Sequence, residues 1–122
     1  MVIKELLDKI ASECGLTIGE DLFLGALPSD VDSGVVVSEI GGQDNDSRMF
    51  AQNISVQVFE NSYVAASRLA RDVHMFLSHS GGIALASLSI KNSVPVNIPQ
   101  FIGVNQHNQY IFTNSFIVYY ES

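Results

Sequence analysis

Apolar positions recur along this chain with two different periods, and the switches between them mark out its elements. Over 2–14, Ile3, Leu6, Leu7, Ile10, Ala11 and Cys14 keep the three-and-four spacing of an amphipathic helix. Lys4, Glu5, Asp8, Lys9 and Glu13 fill the other face, and Gly15 is a natural stop. Residues 22–27 predict a short strand, and the turn formers of 28–34 predict a chain reversal. Val35-Val-Val-Ser-Glu-Ile40 is β-branched and strand-like, and 41–47 reads as a polar loop.

From Met49 to Phe59 the period becomes two. Ile54, Val56 and Val58 alternate with Asn53, Ser55 and Gln57, which predicts a half-buried strand with an amide and hydroxyl face turned to water or a partner. Asn61 or Ser62 then caps a second helix whose stripe is Tyr63, Ala66, Leu69, Ala70, Val73, Phe76 and Leu77, ending at Gly81-Gly82. Three more strands are expected, over 83–91, 94–103 and 110–120, the last two joined by the amide-rich turn Val104-Asn-Gln-His-Asn-Gln109. The order helix, strands, helix, strands predicts one α+β domain over 1–122, with a mixed, mainly antiparallel sheet and both helices packed on one face.

The last strand carries apolar residues on both faces: Phe112, Phe116, Val118 and Tyr120 on one, Ile111, Ile117 and Tyr119 on the other. Such a strand is covered twice. The second cover is either another layer of the same chain or a neighbouring subunit, and Tyr and Phe at an interface suit the latter.

Composition narrows the function classes. The formal charge is −7, with only six Lys and Arg, and these are scattered, which argues against nucleic-acid binding as a main function. An acidic surface could instead line a passage along which DNA slides without sticking. No run approaches the roughly 18 apolar residues of a membrane span. The start, Met1-Val-Ile-Lys-Glu-Leu-Leu-Asp8, lacks a cationic stretch before an apolar block, so no signal peptide is visible and the cytosol is the expected place of synthesis.

Candidate chemistry is sparse. Asp30 and Asp32, like Asp44 and Asp46, share a spacing seen in oxygen-rich Ca²⁺ loops. With Asp44 as first ligand, however, Met49 falls on the glycine position and Ser55 on the final glutamate. His74 and His79 stand about 140° apart around one helix and cannot share a metal. Ser80 in His79-Ser-Gly-Gly82 lacks the nucleophile-elbow pattern, and neither Gly-Gly pair has the lysine of a phosphate loop. Cys14 falls on an apolar stripe with no cation nearby in sequence to activate it. Neither a catalytic centre nor a cofactor nor a metal is expected.

Four stretches together resemble a known family. They are the N-terminal helix, the Val35-Val-Val-Ser-Glu-Ile-Gly-Gly42 strand running into its polar loop, and the Phe50-to-Phe59 strand feeding Glu60-Asn-Ser-Tyr-Val-Ala-Ala-Ser-Arg-Leu-Ala70. The fourth is Pro99-Gln-Phe-Ile-Gly-Val-Asn105 with Tyr110-Ile-Phe-Thr-Asn-Ser-Phe-Ile-Val-Tyr119. Over nearly its whole length the chain resembles the tail-terminator (tail-completion, or minor capsid) proteins of long-tailed bacteriophages and prophages.

The resemblance implies a non-enzymatic assembly protein, made in the host cytoplasm and resident at the neck end of the virion tail. It would form a homo-oligomeric ring, usually of six copies, that caps the tail tube, ends its polymerisation and meets the head-completion or connector protein. DNA would pass through the centre without specific binding, and no membrane is involved. The expected contacts with neighbouring copies or the major tail-tube protein are the 41–49 loop, with Asp44, Asp46, Arg48 and Met49, and the polar strand face of Asn53, Ser55 and Gln57. Another neck or head-completion subunit, or a small α+β binding domain or enzyme with a hidden site, are the alternatives.

Overall fold

The computed structural model describes residues 2–44, 49–78 and 89–121, and side chains over 4–42, 50–78 and 92–121. The described elements run α1 (Val2–Cys14), β1 (Leu22–Leu24), β2 (Gly34–Asp44), β3 (Met49–Glu60), α2 (Tyr63–Ser78), β4 (Ser89–Pro95), β5 (Gln100–Val104) and β6 (Tyr110–Glu121).

Both helix ends with described contacts follow from local sequence. At the end of α1, Gly15 takes φ +68° and the Leu16 N–H donates back to the Ala11 carbonyl at 3.0 Å, a Schellman closure that needs a residue tolerant of the left-handed region. At the start of α2, Ser62 is the cap: its Oγ accepts from the Ala65 N–H at 3.2 Å.

The strands form one sheet in the order β1-β2-β3-β6-β4, with β5 paired to β6 beside β4. All pairings are antiparallel except β1 with β2. The α+β expectation therefore holds. The mixed character comes from an edge the sequence reading had turned the other way: 25–33 carries the chain back so that β1 and β2 run parallel, Leu22 opposite Val35 and Leu24 opposite Val37.

Alternation decides which face is covered. Val35 and Val37 on β2, Ile54, Val56 and Val58 on β3, and Phe112, Phe116 and Val118 on β6 project to one side. There they join Leu6, Leu7 and Ile10 of α1 and Ala66, Ala70, Val73 and Leu77 of α2 in one buried cluster. Both helices lie on this face.

One polar group interrupts it, and it is fully engaged. Asn114 Oδ1 accepts from His74 Nδ1 at 2.6 Å, and Asn114 Nδ2 donates to the Asn97 carbonyl and Oδ1 at 2.5 and 3.0 Å. That pattern fixes the proton of His74 on Nδ1 and leaves Nε2 facing the Ser78 hydroxyl at 3.4 Å. His74 thus belongs to the packing, and its ring also lies 5.6 Å from that of Phe116.

Other sequence expectations need correcting. Residues 41–44, read as loop, continue β2 beyond a bulge between Glu39 and Gly41, opposite Asn53 to Phe50. Gly41 takes φ +123°, and a Cβ at Gly42 would lie 2.3 Å from the Ala51 carbonyl oxygen, so the glycines let two strands approach where a loop was expected. The single strand expected over 94–103 is two, because Pro95 and Pro99 lack the N–H a ladder needs. Of the strand expected over 83–91, the part before Ser89 lies outside the described residues, as do Gly81 and Gly82.

Candidate assembly surface

The second face of the sheet has no layer over it among the described residues. Its centre is a ladder of three serines, Ser38 opposite Ser55 opposite Ser115, next to a row of Val36, Gln57 and Thr113. Asn53 stands beside Ile117, and Ala51 beside Tyr119. These side chains are half-buried by one another, apart from the more deeply buried Val36, and none of those described on this face is Lys or Arg. The two-faced character of β6 is thus real, and its second cover does not come from the described part of this chain.

Of the positions expected to make contacts, Asn53, Ser55 and Gln57 are brought together on this open face. Asp44 ends β2 and Met49 begins β3, their side chains outside those described, while Asp46 and Arg48 lie outside the described residues altogether. Of this group only the backbones of Asp44 and Met49 are described, at the adjoining ends of the antiparallel pair β2 and β3.

One end of the open face is walled by the 25–33 loop and the 105–109 turn, enclosing a cleft of about 480 Å³ beside Gln57 and Phe59. Two of its polar side chains, Asn105 and Gln109, hold the walls together. Buried Gln109 donates from Nε2 to the Asp32 carbonyl at 2.8 Å, and its Oε1 accepts from Asn105 Nδ2 at 2.7 Å. Asn105 Oδ1 in turn accepts the N–H groups of His107 and Gln109, both at 3.0 Å, and Asn108 supplies the left-handed residue at φ 60°. This amide network was visible in the sequence as a turn; its partner, the 25–33 loop, was not.

Among the described residues two titrating groups are shifted. Burial raises the Glu60 carboxyl above its ordinary range, opposed by a hydrogen bond from the Asn61 backbone and reinforced by Asp21. Burial also pushes the Cys14 thiol up to about 11, helped by the charges of Asp72 and Glu13. Neither sits with a nucleophile–base pair. At pH 8 Cys14 stays a thiol, so its alkylation by iodoacetamide is expected to run at least about tenfold slower than that of a free cysteine, which thiol titration will measure. A rate equal to that of the free amino acid would contradict the burial. Among the described residues no group of three His, Cys, Asp or Glu side chains is placed to hold a metal. No described helix is long and apolar enough to cross a membrane.

The sheet thus has helices on one face and, on the other, a centre without charged side chains and no described layer over it. A chain from a structure described as the virion of a native gene transfer agent particle superposes with a TM-score of 0.61. The match covers 93% of this chain and 84% of that one, at 14% identity, a likeness of fold. A search of curated protein sequences found no match. Residues 9–121 match the family described as bacteriophage tail terminator protein, so nearly the whole described fold falls within it. The chain therefore belongs to the bacteriophage tail terminator family, a family of structural proteins of the virion tail.

Proposed function

We infer that this chain closes into a ring of its own copies, six in number, on the end of the tail tube. The ring ends the tube's polymerisation and offers its far side to the head-completion or connector protein. Its action is capping by assembly, with no chemical step, no cofactor and no active site.

The observation that supports this reading is the face of β2, β3 and β6 over which no described residues form a layer. A strand with buried Phe112 and Phe116 on one side and Ile117 and Tyr119 on the other needs a second cover. A face of serine, threonine and amide side chains interleaved with Ile117 and Tyr119 suits a protein partner, since it gives hydrogen bonds without the cost of burying charge. Asn53, Ser55 and Gln57, together with Asp44, Asp46, Arg48 and Met49, form the proposed contact with the major tail-tube protein. Lys4, Lys9, Arg68 and Arg71 lie on the helices, away from this face, and the net charge is −7. Such a charge distribution favours passage of DNA through the ring over its retention.

The reading is tested by solution mass across concentration, using light scattering after size exclusion, with and without purified tail tubes, and by negative-stain imaging. Six-fold rings with an open centre, alone or on tube ends, are the expected result. A monomer that leaves tube ends uncapped at every concentration would overturn it.

Arg48 gives a narrower test. A cation between the acidic neighbours Asp44 and Asp46 and the polar β3 sequence suits an acidic partner, so Arg48→Glu is expected to weaken tube capping by about tenfold, seen as overlong tails and reduced infectivity. Tails of normal length and full infectivity would remove Arg48 from the contact.

A further inference from the structure

The two edges of the sheet differ in chemistry in a matched way. At the β4/β5 edge, residues 92–109 contain no Asp, Glu, Lys or Arg, on a chain with nineteen charged residues (6 + 13). Edge strands of soluble chains are commonly guarded by charge, above all by lysine. This edge has Lys91 near the start of β4 and none after it, and it exposes Phe101, Ile102 and Val104 along β5.

Between β4 and β5 the chain forms a knob. Pro95 and Pro99 bracket Val96-Asn97-Ile98 and restrict its backbone. The polar groups of the knob point inward. The Val96 N–H donates to the Ser115 carbonyl at 2.8 Å, and Asn97 Oδ1 accepts from the Ser115 N–H and from Asn114 Nδ2, both at 3.0 Å. The apolar side chains point outward, with Val96 62% and Ile98 76% exposed. A solvent loop normally has the reverse arrangement. Here the buried Asn114 holds an apolar knob rigidly in water, which lowers the entropy cost of docking it.

The opposite edge, β1 with α1, carries an apolar cleft of about 400 Å³. Buried Leu7, Leu22 and Phe23 line it together with Ile18, 45% exposed, and Leu24, 49% exposed. Apart from Lys4 and Asp8 beside it, this lining is uncharged.

We propose that the Val96–Ile98 knob of one copy of this chain seats in the Ile18/Leu24 cleft of the next, joining copies head to tail through opposite edges of their sheets. The occupant is a second copy because knob and cleft are complementary in chemistry and lie on opposite edges of the same molecule. Such a contact is heterologous, leaves a free knob and a free cleft on every chain of copies, and is exhausted only when a ring closes. The neutral run also places the contact where the −7 charge of each copy opposes it least. This assignment rests on the ring reading for its biological setting, and leaves the open face free for the tail tube.

The test uses single-cysteine full-length chains in a Cys14→Ala background, Ile98→Cys and Leu24→Cys, oxidised separately and as a mixture, with and without tail tubes. The mixture is expected to give disulfide-linked dimers at about tenfold or more the yield of either variant alone, and the double variant a ladder ending at the closed ring. Val96→Cys with Ile18→Cys repeats the test at an independent pair, and Ile98→Asp is expected to weaken self-association by about tenfold or more while the melting temperature stays unchanged.

If rings assemble and neither pair cross-links, or if one variant pairs with itself, the knob-and-cleft contact is overturned and the ring reading stands. A cross-linked ladder that fails to cap tail tubes overturns the capping reading and supports the contact. No multimer under any condition overturns both.

Discussion

Phe116→Ala is expected to lower the unfolding free energy by about 3–5 kcal/mol, a large share of what a domain of this size holds. Phe116 is fully buried on the strand that pairs with β3, β4 and β5, and it sits opposite Ile54 and Pro95. Removing its ring opens a cavity beneath α2 and takes away the surface against which the His74 ring lies, next to the Asn114 network. Urea denaturation at constant m-value will measure the loss. One residue further on, Ile117 faces the open side, and Ile117→Ser is expected to cost only a fraction as much in the isolated chain. Equal losses at the two positions would mean that both faces are covered within one chain, and the argument for a partner on the second face would fall.

The second large effect concerns that open face. Ser55 lies at the middle of the Ser38–Ser55–Ser115 ladder, so Ser55→Arg sets a charge and a long side chain at the uncharged centre of this face. In the free chain the guanidinium reaches water, and the melting temperature is expected to shift by only a few degrees. In the assembled tail it would be buried without a partner, which costs several kcal/mol, or about a hundredfold or more in binding. Co-sedimentation with purified tail tubes and complementation of a phage lacking its tail terminator give the readout. Normal capping by a folded Ser55→Arg chain would remove the open face from the tube contact. Because Ser55 lies on the central strand β3, with β2 between it and β1 and β6 between it and β4, the loss is also expected to leave cross-linking between Ile98→Cys and Leu24→Cys chains intact.

Much of this protein could be read from spacing. The stripe of α1, its glycine stop and a cap for α2 at Asn61 or Ser62 are local signals; the structure keeps the first two and selects Ser62 for the third. The alternation of β3 named both its buried row and its polar row, because a strand's period of two assigns faces regardless of which strands lie beside it. For the same reason Asn53, Ser55 and Gln57 could be placed on one face before any fold was known. The two breaks in that reading are equally physical. At 41–44 glycine signalled a loop, whereas its lack of a Cβ serves close strand pairing. At Pro95 and Pro99 the apolar run suggested one strand, and the missing N–H groups divided it.

What the sequence determined by itself is therefore local: element types, helix ends, the faces of each strand, and a net charge of −7. The tertiary structure alone decided which strands are neighbours. Pairing joins residues far apart in sequence, and its register is set by the shared core under both helices rather than by any short stretch. From that followed the parallel β1 edge and its apolar cleft, the engagement of Asn114 with both α2 and the 96–98 knob, and the open serine face. Those features do not exist in a segment. They arise only when distant segments are brought to opposite edges, or to one face, of the same sheet.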